Sequence, residues 1–455
     1  MLNTDVLIIG AGLAGMSCAH HLQKEDPALR CLVLEKSRAV GGLAGSFIQD
    51  GFTFDYTGHL LHLHDPYGKD FILRLLRGNH IRHERSAWIY SQNTYTRYPF
   101  QANTFGLPRR VIDDCVVGFL KTLNKRPPAQ NAGPANFKDW SLQTFGEGIS
   151  RHFMFPYNQK LWRMPLERLT TEWLGRFVPK PKVEEVLYGA LTDQKKFFGY
   201  NASFLYPRRG GAQALPDALA ARTSGIRLGA PVTRIDFRQK IIEAGGLGQI
   251  RYNRLVNTMP LVHLIDAMAG VPGGVRAARR KLLYNTVYCF NIGFNRPRMS
   301  DKHWIYFPEK RFPFYRAGFC SNFSENAAPN GTSSLYIEIS RSPGARLDFN
   351  KTETQILKGL RECGLTRRSD QIVTKKWTPI PCAYVVYDRD RTPSVQEIFA
   401  FLGENRVESI GRYGAWKYSF MEEAIMDGKR CAERLLGRKG TAPERPDAPL
   451  AALLK

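Results

Sequence analysis

The sequence predicts an α/β fold. A discontinuous Rossmann-like dinucleotide-binding domain carries an inserted helical domain and an antiparallel β-sheet domain. Three patterns support it: a glycine-rich turn directly after an aliphatic run, a long stretch of helical periodicity, and a later series of alternating strands. We expect the dinucleotide-binding domain over residues 1–65, 203–260 and 400–437, the mainly helical domain over 66–202, the antiparallel sheet domain over 261–399, and a loose C-terminal tail over 438–455.

The first predicted element is a buried strand that ends in the spacing G-x-G-x-x-G. Gly10 permits a tight turn, Gly12 lets a pyrophosphate approach the backbone, and Gly15 lets the next helix pack against the strand. The N-terminus of that helix offers unpaired N–H groups to phosphates. Glu35 ends the second strand, where a carboxylate can accept hydrogen bonds from ribose hydroxyls. The motif therefore predicts dinucleotide binding.

A second glycine pair, Gly41-Gly42, follows this acid after a short gap, and Gly45 comes next. In a nicotinamide enzyme this stretch would usually begin another βα unit. Here it is typical of a loop whose backbone comes close to a ligand. The pattern favours FAD over NAD, because the long isoalloxazine arm of FAD runs past such a loop.

The later elements follow from hydrophobic periodicity and turn residues. Helical patterns include Phe71 and Val111, and prolines predict a loop over residues 125–135. After residue 202 we expect a helix over 215–221, a strand within 226–235, and a strand that enters a proline turn over 254–260. Further strands are expected at 286–294 and 334–340, then a strand and turn over 407–414 and a helix over 419–436.

The composition is that of a globular protein. Apolar residues make up 43% of the 455 residues, enough for packed cores in roughly two or three domains. We expect no membrane span, because no apolar run approaches about 18 residues, and no signal peptide. The eight cysteines are scattered without ligand spacing. This spacing predicts free thiols in a reducing compartment, the cytoplasm.

The net charge of +24 favours anionic ligands: phosphates, an acidic membrane surface or nucleic acid. The basic residues are spread along the chain without a nucleic-acid-binding motif, so we expect no nucleic-acid function. A substrate diphosphate explains a few of these charges. Peripheral contact with anionic lipid could use more of them.

Several further blocks stand out along the chain. They are Gly58-His59 with His64, Tyr98-Pro-Phe-Gln-Ala-Asn, and the segments 153–162, 201–211, 301–309, 313–317 and 411–418. Together with the glycine motifs, these blocks resemble the UDP-galactopyranose mutase family, particularly its eukaryotic type, within the amine-oxidase-like FAD flavoproteins. They run in the family's order from residue 6 to about residue 436.

The resemblance implies an FAD enzyme that interconverts the pyranose and furanose forms of a nucleotide sugar, most directly UDP-galactose. It implies that the flavin must be reduced, and that its N5 is the nucleophile at the anomeric carbon. The implied partners are the nucleotide-sugar substrate and a reductant, either NAD(P)H or a reductase. The oligomeric state stays open.

The resemblance also implies which residues contact the ligands. Arg316, Tyr306, Tyr384 and Tyr418 would bind the diphosphate, since a guanidinium suits phosphate and phenols donate without adding charge. Contacts to the base and sugar are implied for Tyr98, Phe100, Gln101, Asn158, Trp162, Asn201 and Trp304. Besides Glu35 and the glycines of the two motifs, the implied cofactor contacts are Leu13, Ala14, Lys36, Leu43, Gly58, His59, Val232, Gly411, Arg412, Tyr418 and Ser419.

The candidate catalytic residues are Arg316, His59, Tyr418, Tyr384 and Arg176. His59 resembles the family's histidine on the loop against the flavin. Arg176 arrives one residue earlier than the family's arginine, which on a helix is a rotation of about 100°. The helix after Tyr418 is expected to direct its partial positive charge at the reduced flavin.

Two other interpretations stay open at this stage. One is an FAD-dependent oxidoreductase of the amine oxidase or protoporphyrinogen oxidase type, acting on another substrate. The other is a nucleotide-sugar-binding protein that has lost catalysis. The diphosphate set favours the mutase, since an amine oxidase would not need it. The spacing of His59, His62 and His64 alone would permit a metal, but the resembled family binds none, so we expect no metal.

Overall fold

The computed structural model describes residues 1–123, 135–175, 178–196, 198–199 and 201–438. Arg176, nearly all of the predicted proline-rich loop and the predicted tail beyond residue 438 lie outside the described residues.

The regular elements alternate along the described residues. The strands are β1 (Leu2–Ile9), β2 (Cys31–Leu34), β3 (Ser46–Gln49), β4 (Phe52–Asp55), β5 (Ile81–Glu84), β6 (Ala87–Ser91), β7 (Thr94–Arg97), β8 (Ser203–Tyr206), β9 (Ile226–Arg227), β10 (Val232–Asp236), β11 (Ile241–Ala244), β12 (Gly248–Asn257), β13 (Tyr284–Phe294), β14 (Trp304–Tyr306), β15 (Arg316–Gly318), β16 (Ser333–Arg341), β17 (Ile372–Val385) and β18 (Val407–Ser409). The helices are α1 (Leu13–Glu25), α2 (Pro66–Leu76), α3 (Arg109–Leu123), α4 (Phe137–Ile149), α5 (Phe155–Trp162), α6 (Val183–Leu191), α7 (Ala214–Ala220), α8 (Leu261–Ala267), α9 (Gly273–Lys281), α10 (Phe349–Glu362), α11 (Arg391–Glu404), α12 (Gly411–Gly414) and α13 (Met421–Leu435).

The first sheet holds the dinucleotide motif. β1 lies at its centre, parallel to β2 on one side and to β12 on the other. β9 extends the parallel part beyond β2, and β18 pairs with the end of β12. β10 and β11 join the start of β12 as an antiparallel meander. The consecutive buried side chains from Val6 to Ile9 suit a strand covered on both faces, as a parallel sheet requires.

The second sheet has the order β17-β13-β16-β15-β14-β6-β7. All of its pairs are antiparallel except β14 with β6. β6 and β7 come from residues 87–97, inside the segment that was expected to be mainly helical, and the prediction did not include them. The overlooked signal is the short run Trp88-Ile-Tyr within Ala87–Ser91, since aromatic and β-branched residues are enriched in strands.

The helices α3 to α6 pack beside the second sheet. α3 and α4 approach so closely that a Cβ on Gly148 would lie 2.0 Å from the carbonyl oxygen of Asp114. A π-helical stretch, Ser150–Met154, joins α4 to α5. The wider turn changes which side of α5 faces the second sheet. Tyr157 on α5 thereby contacts Tyr306 of β14, in a tyrosine-rich cleft that also contains Tyr384 and Tyr418.

The predicted α/β fold class is confirmed by this architecture, whereas the division into domains at the stated residues stays a prediction. No helix among the described residues is both long and apolar enough to cross a bilayer. All eight cysteines are free thiols, and all but Cys31 are buried.

Candidate active site

The turn between β1 and α1 forms a backbone cradle at the C-terminal edge of the first sheet. Gly10 has a φ of 104°, a conformation that side chains rarely adopt, and its N–H donates to the carbonyl of Leu34. A Cβ on Gly15 would lie 2.0 Å from the carbonyl oxygen of Gly10, so only glycine permits this packing. A Cβ on Gly12 would meet nothing within 4 Å, which leaves the turn open on the ligand side.

The N-terminus of α1 is suited to an anion. Gly12 is its N-cap residue, no side chain caps the helix, and the first turn contains no acidic residue. The first N–H groups of α1, at Leu13, Ala14 and Gly15, therefore lack a carboxylate that would compete with a phosphate.

Glu35 is buried behind the same turn. One carboxylate oxygen accepts from the N–H of Ala11 at 2.9 Å, and the other accepts from the N–H of Ser37 at 2.8 Å. These two bonds fix the turn to the end of β2. Each oxygen keeps a second lone pair, which is what the predicted ribose contact requires.

The second glycine loop lies directly against the first. The N–H of Gly41 donates to the carbonyl of Ala11 at 2.8 Å, and a Cβ on Gly42 would lie 3.6 Å from the Cα of Gly12. Gly41 has a φ of 109°. The next residue, Leu43, is partly buried in a cluster with Tyr157 and Tyr384, so this loop connects the cradle to the tyrosine-rich cleft.

The C-terminal elements close the cradle from the other side. A Cβ on Gly411 would lie 2.7 Å from that of Ala14, and one on Gly428 would lie 2.4 Å from the Ala14 carbonyl oxygen. The helix expected over 419–436 begins at Met421, and the short helix α12 precedes it. Glu422 in the first turn of α13 accepts from the backbone N–H groups of His64 and Asp65 and so holds the His59–His64 loop.

Arg412 is the cation that lies between the cradle and the cleft. Its guanidinium donates to the carbonyl of Ser419 at 2.6 Å and to that of Ala383 at 3.2 Å. It also lies 5.4 Å from the ring centre of Tyr384 and 5.0 Å from that of Tyr418. Main-chain carbonyls and aromatic faces hold this cation, and no carboxylate of the described ranges pairs with it, which leaves positive charge for a ligand.

The predicted diphosphate residues come together at one place. Tyr306 and Arg316 are directly opposite on the paired strands β14 and β15. The rings of Tyr384 and Tyr418 stack with their centres 6.2 Å apart. Burial raises the pKa of Tyr384 and raises that of Tyr418 to about 12, so both phenols stay protonated at neutral pH and can donate.

Arg316 forms a bidentate ion pair with Glu338, its cross-strand neighbour on β16. Nε donates to one carboxylate oxygen at 3.1 Å and Nη2 to the other at 2.7 Å. Burial alone would lower the pKa of Arg316, but the Glu338 carboxylate raises it well above the ordinary value. Because Glu338 is fully buried, it orients the guanidinium, and it leaves Nη1 available for a ligand.

His59 lies on the loop between the two regions. Burial, with the positive charges of Arg412 and Arg316, lowers its pKa to about 4, so the imidazole is neutral at neutral pH. Its Nδ1 lies 3.2 Å from the carbonyl oxygen of Thr57. Because a carbonyl only accepts, Nδ1 carries the proton and Nε2 is the acceptor.

Sequence reasoning missed four residues of the cleft: Tyr157, Tyr315, Tyr336 and Glu338. The ring of Tyr157 is 5.4 Å from that of Tyr306, and Tyr336 fills the space beside Gly58 and Gly318. The signal for Glu338 was a lone carboxylate at the centre of the buried strand β16, since such a group needs a partner.

The predicted base-binding residues have protein partners. Phe100 is buried and stacks on Phe153, and Gln101 donates to the carbonyl of Pro179 at 2.7 Å. Trp162 donates to Asn158 at 3.2 Å. These contacts are those of a packed core, so recognition of a base by these four residues stays a prediction. Tyr98 lies nearer the cleft, with its ring 5.4 Å from that of Tyr306.

Two further predicted contacts have buried polar atoms that find no partner within the described part of the chain. These are the side-chain oxygen of Asn201 and the indole N–H of Trp304. Such atoms are suited to a polar ligand. Val232 begins β10, Lys36 is exposed after β2, and Ser419 is buried before α13, and their cofactor contacts also stay predictions. No set of three His, Cys, Asp or Glu side chains within the described ranges is placed to hold a metal ion.

Residues 13–436 match the family model of the flavin containing amine oxidoreductases. The chain belongs to this family. The cofactor of this flavoprotein is FAD, and the cradle fits it. An open glycine at an uncapped helix N-terminus suits the pyrophosphate, Glu35 suits the ribose, and the second glycine loop allows the cofactor to pass towards the cleft.

Two proteins like this flavoprotein are UDP-galactopyranose mutases. The mutase of Mycoplasma pneumoniae is 24% identical over 280 residues, which span 58% of this chain and 63% of that relative. The chain therefore matches less than two thirds of its length. The crystal structure of a reduced UDP-galactopyranose mutase superposes with a TM-score of 0.91 at 26% identity, over 99% of this chain and 98% of that one. The predicted resemblance to this family is confirmed, and its eukaryotic type stays a prediction.

A more distant solved structure shares the fold of this flavoprotein alone. Putrescine oxidase with bound putrescine superposes with a TM-score of 0.63 at 16% identity, over 96% of this chain and 100% of that one.

Proposed function

We propose that this flavoprotein is an FAD-dependent mutase that interconverts the pyranose and furanose forms of a nucleotide sugar, with UDP-galactose as the substrate. The observation that carries the proposal is the Arg316–Glu338 pair, set among Tyr306, Tyr384 and Tyr418 beside the cofactor cradle. The likeness to a reduced UDP-galactopyranose mutase supports it.

The diphosphate of the substrate is the group that the cleft would bind. Nη1 of Arg316 can make a charge-assisted hydrogen bond to a phosphate oxygen, while Glu338 holds the other edge of the guanidinium. The protonated phenols of Tyr384 and Tyr418 add neutral donors. These donors would also stabilise the negative charge that develops on the diphosphate as the anomeric bond breaks.

When bound in its reduced form, FAD would supply an electron-rich nitrogen as the nucleophile at the anomeric carbon. Arg412, held without a neutralising carboxylate, would stabilise negative charge at the end of the cofactor that meets the cleft. Neutral His59 adds a hydrogen-bond acceptor at Nε2 without bringing a further positive charge.

The chain's own surroundings fit chemistry that must exclude water. The Arg316–Glu338 pair lies on buried strands beside the buried rings of Tyr315 and Tyr336, and Leu43 connects the second glycine loop to the cluster that holds Tyr157 and Tyr315. Buried charges act more strongly in such an environment than they do in water. A reductant, NAD(P)H or a reductase, belongs to the proposal because the flavin must be kept reduced, and the free thiols support a reducing compartment such as the cytoplasm.

Amine oxidation is the second candidate, favoured by the family and by the shared fold of putrescine oxidase. The charge of the cleft favours the mutase over it. A cationic amine would meet two arginines, and the Glu338 carboxylate is already bound to Arg316. A diphosphate is the better electrostatic complement of this cleft.

The test is to incubate the purified holoenzyme with UDP-galactofuranose, either reduced with dithionite or left oxidised, and to separate the products by anion-exchange chromatography. We expect UDP-galactopyranose to form with the reduced protein and not with the oxidised protein. An absence of conversion by the reduced protein, with oxygen consumed when putrescine is supplied, would contradict the mutase and support amine oxidation.

A further inference from the structure

Two neighbouring helices, α3 and α6, and the segment just before α3 expose apolar side chains on a face that the proposed function does not use. We call this face the α3/α6 patch. Its members are Phe105, Val117, Leu120, Leu187, Tyr188 and Leu191. Soluble proteins seldom gather this many large apolar side chains on one surface without a ligand or partner for it.

The members of the patch belong to a single surface. α3 and α6 pack against each other. Phe105 connects to α6 directly, because its N–H donates to the carbonyl of Gly189 at 2.9 Å. The inward faces of the helices, with Cys115 and Phe119 on α3 and Val186 on α6, are buried in the main core. The patch is therefore the outward side of two helices whose inward sides are already satisfied.

Positive charge surrounds the patch. Most nearby carboxylates are already in ion pairs, including Asp113 with Arg109 and Glu185 with Lys196. Within the described parts of residues 97–196, two exposed carboxylates near the patch have no ion-pair partner: Glu147, whose backbone lies beside Gly118 of α3, and Glu184. Among the residues that the structure describes, the nearby cations without a carboxylate partner are Arg110, Lys121, Lys180, Lys182 and Lys195.

We propose that the α3/α6 patch docks the protein on an anionic lipid surface. Apolar side chains enter the boundary between headgroups and acyl chains, and flanking lysines and arginines contact the lipid phosphates. Tyr188 has the amphipathic ring that suits this boundary, and the long lysine side chains can reach back to the headgroups. The patch thus accounts for part of the net charge of +24, which a substrate diphosphate leaves unexplained.

A second copy of the chain is the other occupant to consider, and the charge argues against it. A two-fold dimer brings the same patch of both copies together. The unpaired cations around the patch would then face one another, and among the described residues only Glu147 and Glu184 from each copy would compensate them. An anionic surface is attracted by the same charges that oppose self-association.

The experiment measures co-sedimentation of the full-length holoenzyme with vesicles. One set contains equal parts of phosphatidylcholine and phosphatidylglycerol, and the other contains phosphatidylcholine alone. We expect binding to the anionic vesicles, weakened by added salt, and little binding to the neutral ones. Binding that is equal for both lipids, or absent for both, would overturn the proposal.

Paired variants locate the contact. Leu187→Ser with Leu191→Ser removes side chains that are 37% and 74% exposed, and we expect a loss of about tenfold or more in vesicle binding. Leu247→Ser with Ile48→Ser is the matched control, since these are 38% and 76% exposed elsewhere on the surface. An equal loss in the control pair would show that the α3/α6 patch is not the site. Unchanged FAD content and melting temperature confirm that each variant folds.

A charge pair separates local attraction from the effect of net charge. Lys182→Glu with Lys195→Glu should weaken binding to anionic vesicles more than Arg251→Glu with Arg254→Glu, which changes the net charge equally at exposed positions on β12 of the first sheet. Equal effects would contradict the location. Sedimentation equilibrium tests the alternative of a second copy. If the wild type is a dimer that does not bind vesicles, and Leu187→Ser with Leu191→Ser makes it a monomer, the partner of the patch is a second copy and the lipid proposal is wrong.

Discussion

The cofactor cradle and the substrate cleft are built from different parts of the chain. The cradle is made of main chain: glycines at Gly10, Gly12 and Gly15 and the first N–H groups of α1. The cleft is made of side chains that come from separate strands and turns, such as Arg316 from β15 and Glu338 from β16. A site made of main chain can be recognised from a short local motif. A site made of side chains forms only when the register of a sheet brings distant segments together.

The largest expected effect tests whether the cradle depends on the absence of side chains. In Gly15→Ala the new methyl group would lie 2.0 Å from the Gly10 carbonyl oxygen, so the turn must move. We expect a loss of stability on the order of 4 kcal/mol and loss of bound FAD. Thermal unfolding and the flavin-to-protein absorbance ratio measure both.

Two other glycines serve as controls for this prediction. Gly403→Ala on α11 adds a methyl group with nothing within 4 Å, so it should leave FAD binding unchanged and raise stability by up to about 1 kcal/mol through helix propensity. Gly12→Ala meets no protein atom either, so we expect it to fold normally and to weaken FAD binding alone. Normal FAD binding by Gly15→Ala would contradict the claim that the cradle depends on the absence of a side chain at this position.

Removal of Glu338 tests the side-chain site in the same way. Glu338→Ala leaves Arg316 without its bidentate partner in a buried position, and we expect a loss of about 3 kcal/mol in stability. Glu338→Gln keeps one acceptor and should retain more of it. Urea unfolding measures the stability of both variants, and UDP affinity should also fall because the guanidinium loses its orientation. UDP affinity equal to wild type in both variants would show that Glu338 does not position Arg316.

Acid should destabilise both regions, because each has a buried neutral histidine. Burial lowers the pKa of His21 on α1 and of His303 beside Trp304 to about 4. In the unfolded chain these groups bind a proton at their ordinary pKa near 6.5, so stability falls as pH decreases from about 6.5 to about 4. Each of the two histidines should lower the free energy of unfolding by about 2 kcal/mol at pH 5 relative to pH 7.

The check is the free energy of unfolding at pH 7 and pH 5, for the wild type and for His303→Gln. The variant should lose about 2 kcal/mol of the pH dependence, since only His21 of the two still titrates. Asp55 acts in the opposite direction. Burial raises its pKa to about 6, so its contribution to stability increases as the pH falls from 7 to 5. A pH dependence identical in His303→Gln and wild type would contradict a neutral His303.

The smallest expected effect concerns single phenols of the cleft. Tyr384→Phe removes one neutral donor, which should weaken UDP binding by about threefold to tenfold. Tyr252→Phe is the control, because the Tyr252 hydroxyl is buried in the first sheet and has no hydrogen-bond partner among the residues that the structure describes. Calorimetric titration with UDP measures both, and an equal effect of the two changes would remove Tyr384 from the diphosphate site.

The difference between the regions also decided what could be predicted. The strand, turn and helix around Gly10 follow from spacing and periodicity alone, and the structure has them where they were expected. β6 and β7 were missed because a short strand inside a helical stretch gives a weak periodic signal. Glu338 was missed because its partner is 22 positions away along the chain, and only the register of β15 with β16 makes them neighbours.

The central claim is that the cleft beside the FAD cradle binds a nucleoside diphosphate through Arg316. Calorimetric titration of UDP into the Arg316→Ala holoenzyme tests it most directly, with Arg316→Lys as the variant that keeps the charge opposite Glu338. We expect flavin content to be unchanged and UDP affinity to fall by about a hundredfold in Arg316→Ala, and by less in Arg316→Lys. Unchanged UDP affinity in a fully loaded Arg316→Ala protein would contradict the claim.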